Sequence, residues 1–98
     1  MIKVLLERRV KKENYNKLMG YLTDLRGTAI RQPGYVTGET LVKGTDPVDV
    51  LVLSTWISEE HWKAWACDQS RIEIDDMINR ILLGEPQCAI YRIPLEED

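Results

Sequence analysis

The nine residues Val48–Trp56, VDVLVLSTW, restrict this chain's fold more than any other segment. Strand alternation puts Val48, Val50, Val52, Ser54 and Trp56 on one side and Asp49, Leu51, Leu53 and Thr55 on the other. Both sides therefore carry large aliphatic residues. A layer of helices covers one face of an antiparallel sheet and leaves the other to water. Each large aliphatic left there costs about 1.5–3 kcal/mol relative to burial. Such a strand calls for a helix layer on one face and a second protein surface on the other. Leu5, beside Val4 and Leu6, extends the argument to the first strand. The pattern predicts a homodimer assembled through apposed sheet faces.

The remaining elements follow from changes of period. Ile2–Val10 reads as a strand, with Ile2, Val4, Leu6, Arg8 and Val10 on one face and Lys3, Leu5, Glu7 and Arg9 on the other. From about Lys12 the apolar residues recur at helical spacing, through Tyr15, Leu18, Met19, Leu22, Leu25 and Ala29. Gly20 and Gly27 interrupt that helix, and small residues there suggest close packing on a sheet. Pro33-Gly34 ends it. Tyr35–Lys43 alternates as a second strand, and Gly44-Thr45-Asp46-Pro47 turns it back as a hairpin into Val48–Trp56.

Ser58, Glu59 and Glu60 mark the next helix start. Ser70-Arg71-Ile72-Glu73 fits a capping box that opens a second helical piece, with Ile74, Met77, Ile78 and Ile81 as its apolar stripe. Gly84 and Pro86 end that piece, Cys88–Ile93 is the last strand, and Leu95–Asp98 is an acidic, frayed tail. The order β-α-β-β-α-β predicts one α+β domain over residues 1–98, a ferredoxin-like antiparallel sheet with its helices on one face.

Composition narrows the function classes. With 98 residues, 44% hydrophobic and 30% charged, the chain suits a soluble globular domain. It has no apolar run of membrane-spanning length and no secretory leader, which places it in the cytoplasm. Cys67 and Cys88 are then expected as reduced thiols, and Cys67, with no histidine placed to activate it, reads as a small packed hydrophobe. One histidine and two distant cysteines give no metal-ligand spacing, so no metal and no cofactor is expected. A net charge of −3 with dispersed Lys and Arg offers no footprint for nucleic acid.

Several stretches together resemble the antibiotic biosynthesis monooxygenase family: the turn Arg31-Gln32-Pro33-Gly34-Tyr35, the hairpin into Val50-Leu51-Val52-Leu53, the strand end Thr55-Trp56, and the helix Ser58 to Trp65 followed by Ser70. The resemblance implies the dimeric α+β barrel fold. It also implies a pocket between sheet and helices, lined by a tryptophan of the second helix at the position of Trp65. Members resembling this chain include oxygenases that act on aromatic polyketide-like substrates without metal or organic cofactor. Others degrade haem, and some small stand-alone members have no assigned chemistry. The haem-degrading branch carries an axial histidine ten residues after that tryptophan, where this chain has Asp75, and a first-strand asparagine where it has Glu7-Arg8-Arg9. A carboxylate is a poor axial donor for haem iron, so haem degradation is disfavoured.

Trp62 and Trp65 share one helix face and are the candidate walls for a small aromatic ligand, against the alternative that both simply pack as core. Trp56, at a strand end, is read as core. His61 is a candidate general base because its ordinary pKa lies near neutrality, although it is expected at the surface. Glu7 and Asp75 are the other candidate bases. Arg8, Arg92 and Tyr91 are candidate substrate contacts, with Arg8 or Glu7 pairing with Arg92 or Glu39 across the sheet. Two functions follow: a cofactor-independent monooxygenase on a small aromatic substrate, or a non-catalytic dimer of the same fold that binds a small ligand or a partner.

Overall fold

A computed structural model describes residues 1–94; the acidic tail Leu95–Asp98 lies outside the described residues. Four strands, β1 (Ile2–Val10), β2 (Tyr35–Lys43), β3 (Val48–Trp56) and β4 (Gln87–Arg92), pair in the order β2-β3-β1-β4, every pair antiparallel. Helices α1 (Tyr15–Ala29), α2 (Glu59–Ala66) and α3 (Gln69–Asn79) supply the connections, with a short 3₁₀ turn at Lys12–Asn14 before α1. This is an α+β, ferredoxin-like fold, as the element order predicts.

The register fixes which side chains meet. Leu6 pairs with Val52, Arg8 with Val50 and Val4 with Ser54, so the inner residues of β1 and β3 form one continuous surface. Onto it pack Leu18, Leu22, Leu25 and Ala29 of α1, the helical stripe read from the sequence, together with Trp62, Trp65 and Ile78. Trp56, Val4 and Val50 are among the most deeply buried side chains of this core. The outer face carries Leu5, Leu51 and Leu53, all half-buried, with Leu41 and Tyr91 exposed beside them.

The structure departs from the sequence reading at several points, among them the end of α3 at Asn79, which leaves Ile81 outside the helix. Nothing lies within 4 Å of a Cβ built at Gly20 or Gly27, so neither glycine serves close packing. Helix α3 starts two residues early: Asp68 is its N-cap, accepting from the Ser70 backbone N–H and hydroxyl, and Ser70 lies inside the helix. Met77 is 40% exposed, because the buried stripe of α3 runs through Ile74 and Ile78. Strand β4 is Gln87–Arg92, one residue earlier than expected, its register with β1 running from Glu7–Gln87 to Ile2–Arg92. Cys67 is exposed rather than packed as a small apolar residue, and Cys88 is exposed as well; both are free thiols.

The turn into β2 shows why its residues are there. Gly34 has φ +85°, a region L side chains rarely adopt. A Cβ at this position would overlap the His61 ring. The Gly34 carbonyl also accepts from the Ile57 N–H at 2.8 Å, tying the end of β3 to the start of β2. No helix among the described residues is long and apolar enough to cross a membrane.

Candidate active site

A pocket opens where the inner sheet face meets the helix layer. Its volume is about 70 Å³, inside an envelope of about 560 Å³ that includes the open side. Its aromatic wall is a stack of edges: Tyr35 meets Trp56 at 5.4 Å between ring centroids and 88°, and Trp56 meets Trp62 at 5.9 Å and 64°. Trp65 completes the wall from α2. Helix α2 can present Trp62 and Trp65 together because they lie three residues apart. Its start is fixed by Ser58, whose Oγ accepts from the His61 N–H. The buried indole N–H of Trp56 is satisfied by the Ser54 hydroxyl at 3.0 Å. Gly38 belongs to the same lining, and a Cβ there would press on the Tyr35 hydroxyl.

Three guanidinium groups share this otherwise apolar lining: Arg8 from β1, Arg26 from α1 and Arg71 from α3. Arg8 is 3% exposed, and its Nη2 donates to Asp75 Oδ1 at 3.2 Å. The other oxygen of Asp75 pairs with Arg71 Nη2, also at 3.2 Å. Arg71 lies over the Trp62 ring, 4.9 Å from its centroid. Arg26 donates to Thr40 Oγ1 at 2.7 Å. Burial disfavours the charged form of Arg8 and lowers its pKa to about 10, Asp75 opposing that shift and Arg71 adding to it. Arg8 Nε is buried and has no hydrogen-bond partner.

The structure brings Arg8, Trp62 and Trp65 together around the pocket and places the other candidates elsewhere. Asp75 stands behind Arg8 as its ion-pair partner. Glu7 faces the outer side of the sheet, paired in register with Leu51 and Gln87, and is exposed. Tyr91 is 58% exposed on that same outer side. Arg92 ends the edge strand β4, opposite Ile2 and outside the pocket lining. His61 is half-buried beside Gly34, with its Nδ1 2.6 Å from Ser58 Oγ, and is not in the lining. The expected pairing of Arg8 or Glu7 with Arg92 or Glu39 gives way to Arg8–Asp75. Arg8 points to the helix layer, whereas Glu39 sits opposite Leu53 on the outer side.

Two residues of the lining were not singled out from sequence, although their spacing held the signal. Arg26 follows Leu22 by four residues and precedes Ala29 by three, which puts it on the buried face of α1. Arg71 precedes Ile74 by three and Ile78 by seven, on the buried face of α3.

An antiparallel ferredoxin-like sheet with an aromatic pocket beneath its helices defines a class of small α+β proteins. Within that class the chain belongs to the antibiotic biosynthesis monooxygenase family, whose pattern matches residues 1–67. No curated protein matches it. Among solved structures, a conserved protein from Methanosarcina mazei Go1 is similar at 21% identity and a TM-score of 0.86, covering 93% of this chain and 90% of that one. A candidate antibiotic biosynthesis monooxygenase from Nitrosomonas europaea is similar at 14% identity and TM-score 0.84, over 92% and 86% of the two chains. SnoaB, a cofactor-independent oxygenase from Streptomyces nogalater, is similar at 8% identity and TM-score 0.73, over 94% and 92%. At these identities the likeness is one of fold.

Proposed function

We propose that the protein is a cofactor-independent monooxygenase that acts on a small aromatic, polyketide-like substrate held between sheet and helices. The observation that carries this is the pocket itself: Trp56, Trp62, Trp65 and Tyr35 wall it, and the buried Arg8 lies within it, in a chain of this family. The reaction needs no outside reductant. A ring methylene flanked by aromatic carbons loses a proton to give a carbanion or enolate, which passes electrons to O₂. One oxygen atom ends as the ring carbonyl and the other leaves as water, so the methylene supplies every electron that O₂ takes up. The protein's part is to exclude water, orient the ring and stabilise the developing negative charge. Trp65 and Trp62 orient the ring, and Arg8, held by Asp75, faces the charge. Among the described lining residues there is neither carboxylate nor imidazole. The site therefore favours substrates acidic enough to give their proton to water on entering and to be held as the anion beside a guanidinium, with Asp75 acting through Arg8.

A pocket of about 70 Å³ is small beside the roughly 300–1,000 Å³ of most ligand sites. A multi-ring substrate must displace lining side chains, Arg26 before Arg71, since Arg71 is held by both Asp75 and the Trp62 ring. The same small volume favours the second reading, a non-catalytic dimer that holds a smaller ligand. Oxygen uptake with a panel of anthrones and dihydroquinones separates the two. The monooxygenase reading expects uptake that Trp65→Ala lowers at least tenfold; no uptake above the protein-free rate leaves the binding reading.

We further propose that the protein works as a cytoplasmic homodimer, a second copy covering Leu5, Leu51, Leu53, Leu41 and Tyr91 on the outer sheet face. Sedimentation at micromolar concentration tests this: a dimer that Leu53→Glu converts to a folded monomer supports it, and a wild-type monomer refutes it.

A further inference from the structure

The charges around the pocket do not balance. Arg8, Arg26 and Arg71 line it, and among the described residues no acidic one does. One carboxylate, Asp75, is shared between Arg8 and Arg71. Among the described residues Arg26 is answered only by the neutral hydroxyl of Thr40. Three cations thus face an aromatic cavity with one anion behind them, and excess charge out of water is costly unless paired. A second observation is independent of that count. The Nε–H of Arg8 is buried without a partner, on a side chain only 3% exposed. An orphaned donor on a buried guanidinium favours a ligand acceptor that can meet it in a charge-assisted hydrogen bond.

We propose that this pocket selects a planar aromatic carboxylate, its ring against Trp56, Trp62 and Trp65 and its anionic oxygens on the Nε–H of Arg8, with Arg26 and Arg71 closing over the charge. The inference rests on the reading of this pocket as the functional site and names the class of ligand it takes. A guanidinium suits this task better than an ammonium, because its planar fork matches a carboxylate and stacks on aromatic faces, as Arg71 already does on Trp62. Asp75 leaves part of the positive charge uncancelled, so the empty site stays folded while attracting an anion. The matched family segment ends at residue 67, so Arg71 and Asp75 lie in the part of the chain beyond it.

Isothermal titration calorimetry at pH 7 with 1-naphthoate and its neutral isostere 1-naphthamide tests the inference. Wild type is expected to bind the acid at least tenfold more tightly than the amide. Arg8→Gln and Arg71→Gln combined with Asp75→Asn remove the carboxylate together with both of its guanidinium partners, so no charge is stranded, and this triple variant is expected to bring the two affinities within about twofold. Should that triple variant not fold, Arg26→Gln alters a half-buried side chain and Arg71→Gln leaves Asp75 still paired with Arg8, and each single change is expected to lower the acid's advantage severalfold. Arg9→Gln, on the outer face against Asp49, is expected to leave it unchanged. Equal affinity for acid and amide, no binding of either at millimolar concentration, or an equal loss in Arg9→Gln overturns the inference. Failure of the oxygenase reading looks different: naphthoate binds with the expected preference, but no substrate drives oxygen uptake. A protein that oxidises neutral anthrones while ignoring carboxylates gives the opposite pattern.

Discussion

Replacing Asp75 by asparagine keeps the shape of the side chain and removes the one charge among the described residues that the Arg8 guanidinium is paired with. Arg8 is 3% exposed and its Nη2 sits 3.2 Å from the carboxylate. Stranding one member of a buried pair costs about 3–5 kcal/mol. Asp75 is 24% exposed, so water screens part of the interaction, and the asparagine carbonyl still accepts one hydrogen bond from Arg8. About 2–3 kcal/mol is the expected loss. For a domain of this size that lowers Tm by about 8–24 °C, at about 4–8 °C per kcal/mol. Thermal unfolding by circular dichroism, with urea titration for ΔG, measures it. The companion Arg8→Met/Asp75→Asn chain removes both charges and fills the space with apolar volume. It should be more stable than Asp75→Asn alone by more than about 1 kcal/mol. A Asp75→Asn protein within about 0.5 kcal/mol of wild type, or a double variant less stable than the single, refutes the view that Arg8 is a buried cation dependent on Asp75.

Three other outcomes follow from the geometry. Gly20→Ala and Gly27→Ala, both on exposed helix with no atom near the new methyl group, should each stabilise by about 0.5–1 kcal/mol in urea unfolding. Gly34→Ala should destabilise by at least about 1–2 kcal/mol from the positive φ alone, and adding His61→Ala should recover only part of the steric loss, because the His61 Cβ still overlaps the new methyl group, and none of the backbone part. Arg9 hydrogen-bonds the Asp49 carboxylate and holds its pKa below the ordinary 3.8. The pair's contribution is therefore present above that value and lost as pH falls through the lower folded pKa. Asp49→Asn should then lower Tm at pH 7, with the gap to wild type closing in acid.

The fold was legible because each element carries its own period. The two-residue alternation of Ile2–Val10 and Val48–Trp56 and the helical stripe from Leu18 to Ala29 each point to one partner surface, and the core assembles from those faces. The capping of α3 was not legible, since Asp68 and Ser70 are both good N-caps two residues apart and only the backbone path chooses between them. Gly20 and Gly27 misled because a helical glycine reads the same whether it faces a sheet or water. At the site, Trp62, Trp65 and Arg8 emerged from their positions on α2 and β1. The partner of Arg8 did not. Asp75 lies 67 residues away and is brought opposite Arg8 only by the docking of α3 on the sheet, a long-range contact that local spacing does not encode. Arg26 and Arg71 were hidden by habit, since an arginine on a helix is ordinarily read as surface even where its spacing matches the buried stripe.

The proposal that oxygen chemistry occurs beside Trp65 is tested most directly by following the oxygen atoms. Protein treated with a chelator is given an anthrone under ¹⁸O₂, and the product is weighed by mass spectrometry. A monooxygenase places one ¹⁸O atom in the new carbonyl, releases the other as labelled water, and loses at least tenfold in rate in Trp65→Ala. Product that carries only ¹⁶O from solvent under conditions of slow carbonyl exchange, or ¹⁸O incorporation that Trp65→Ala leaves untouched, contradicts it.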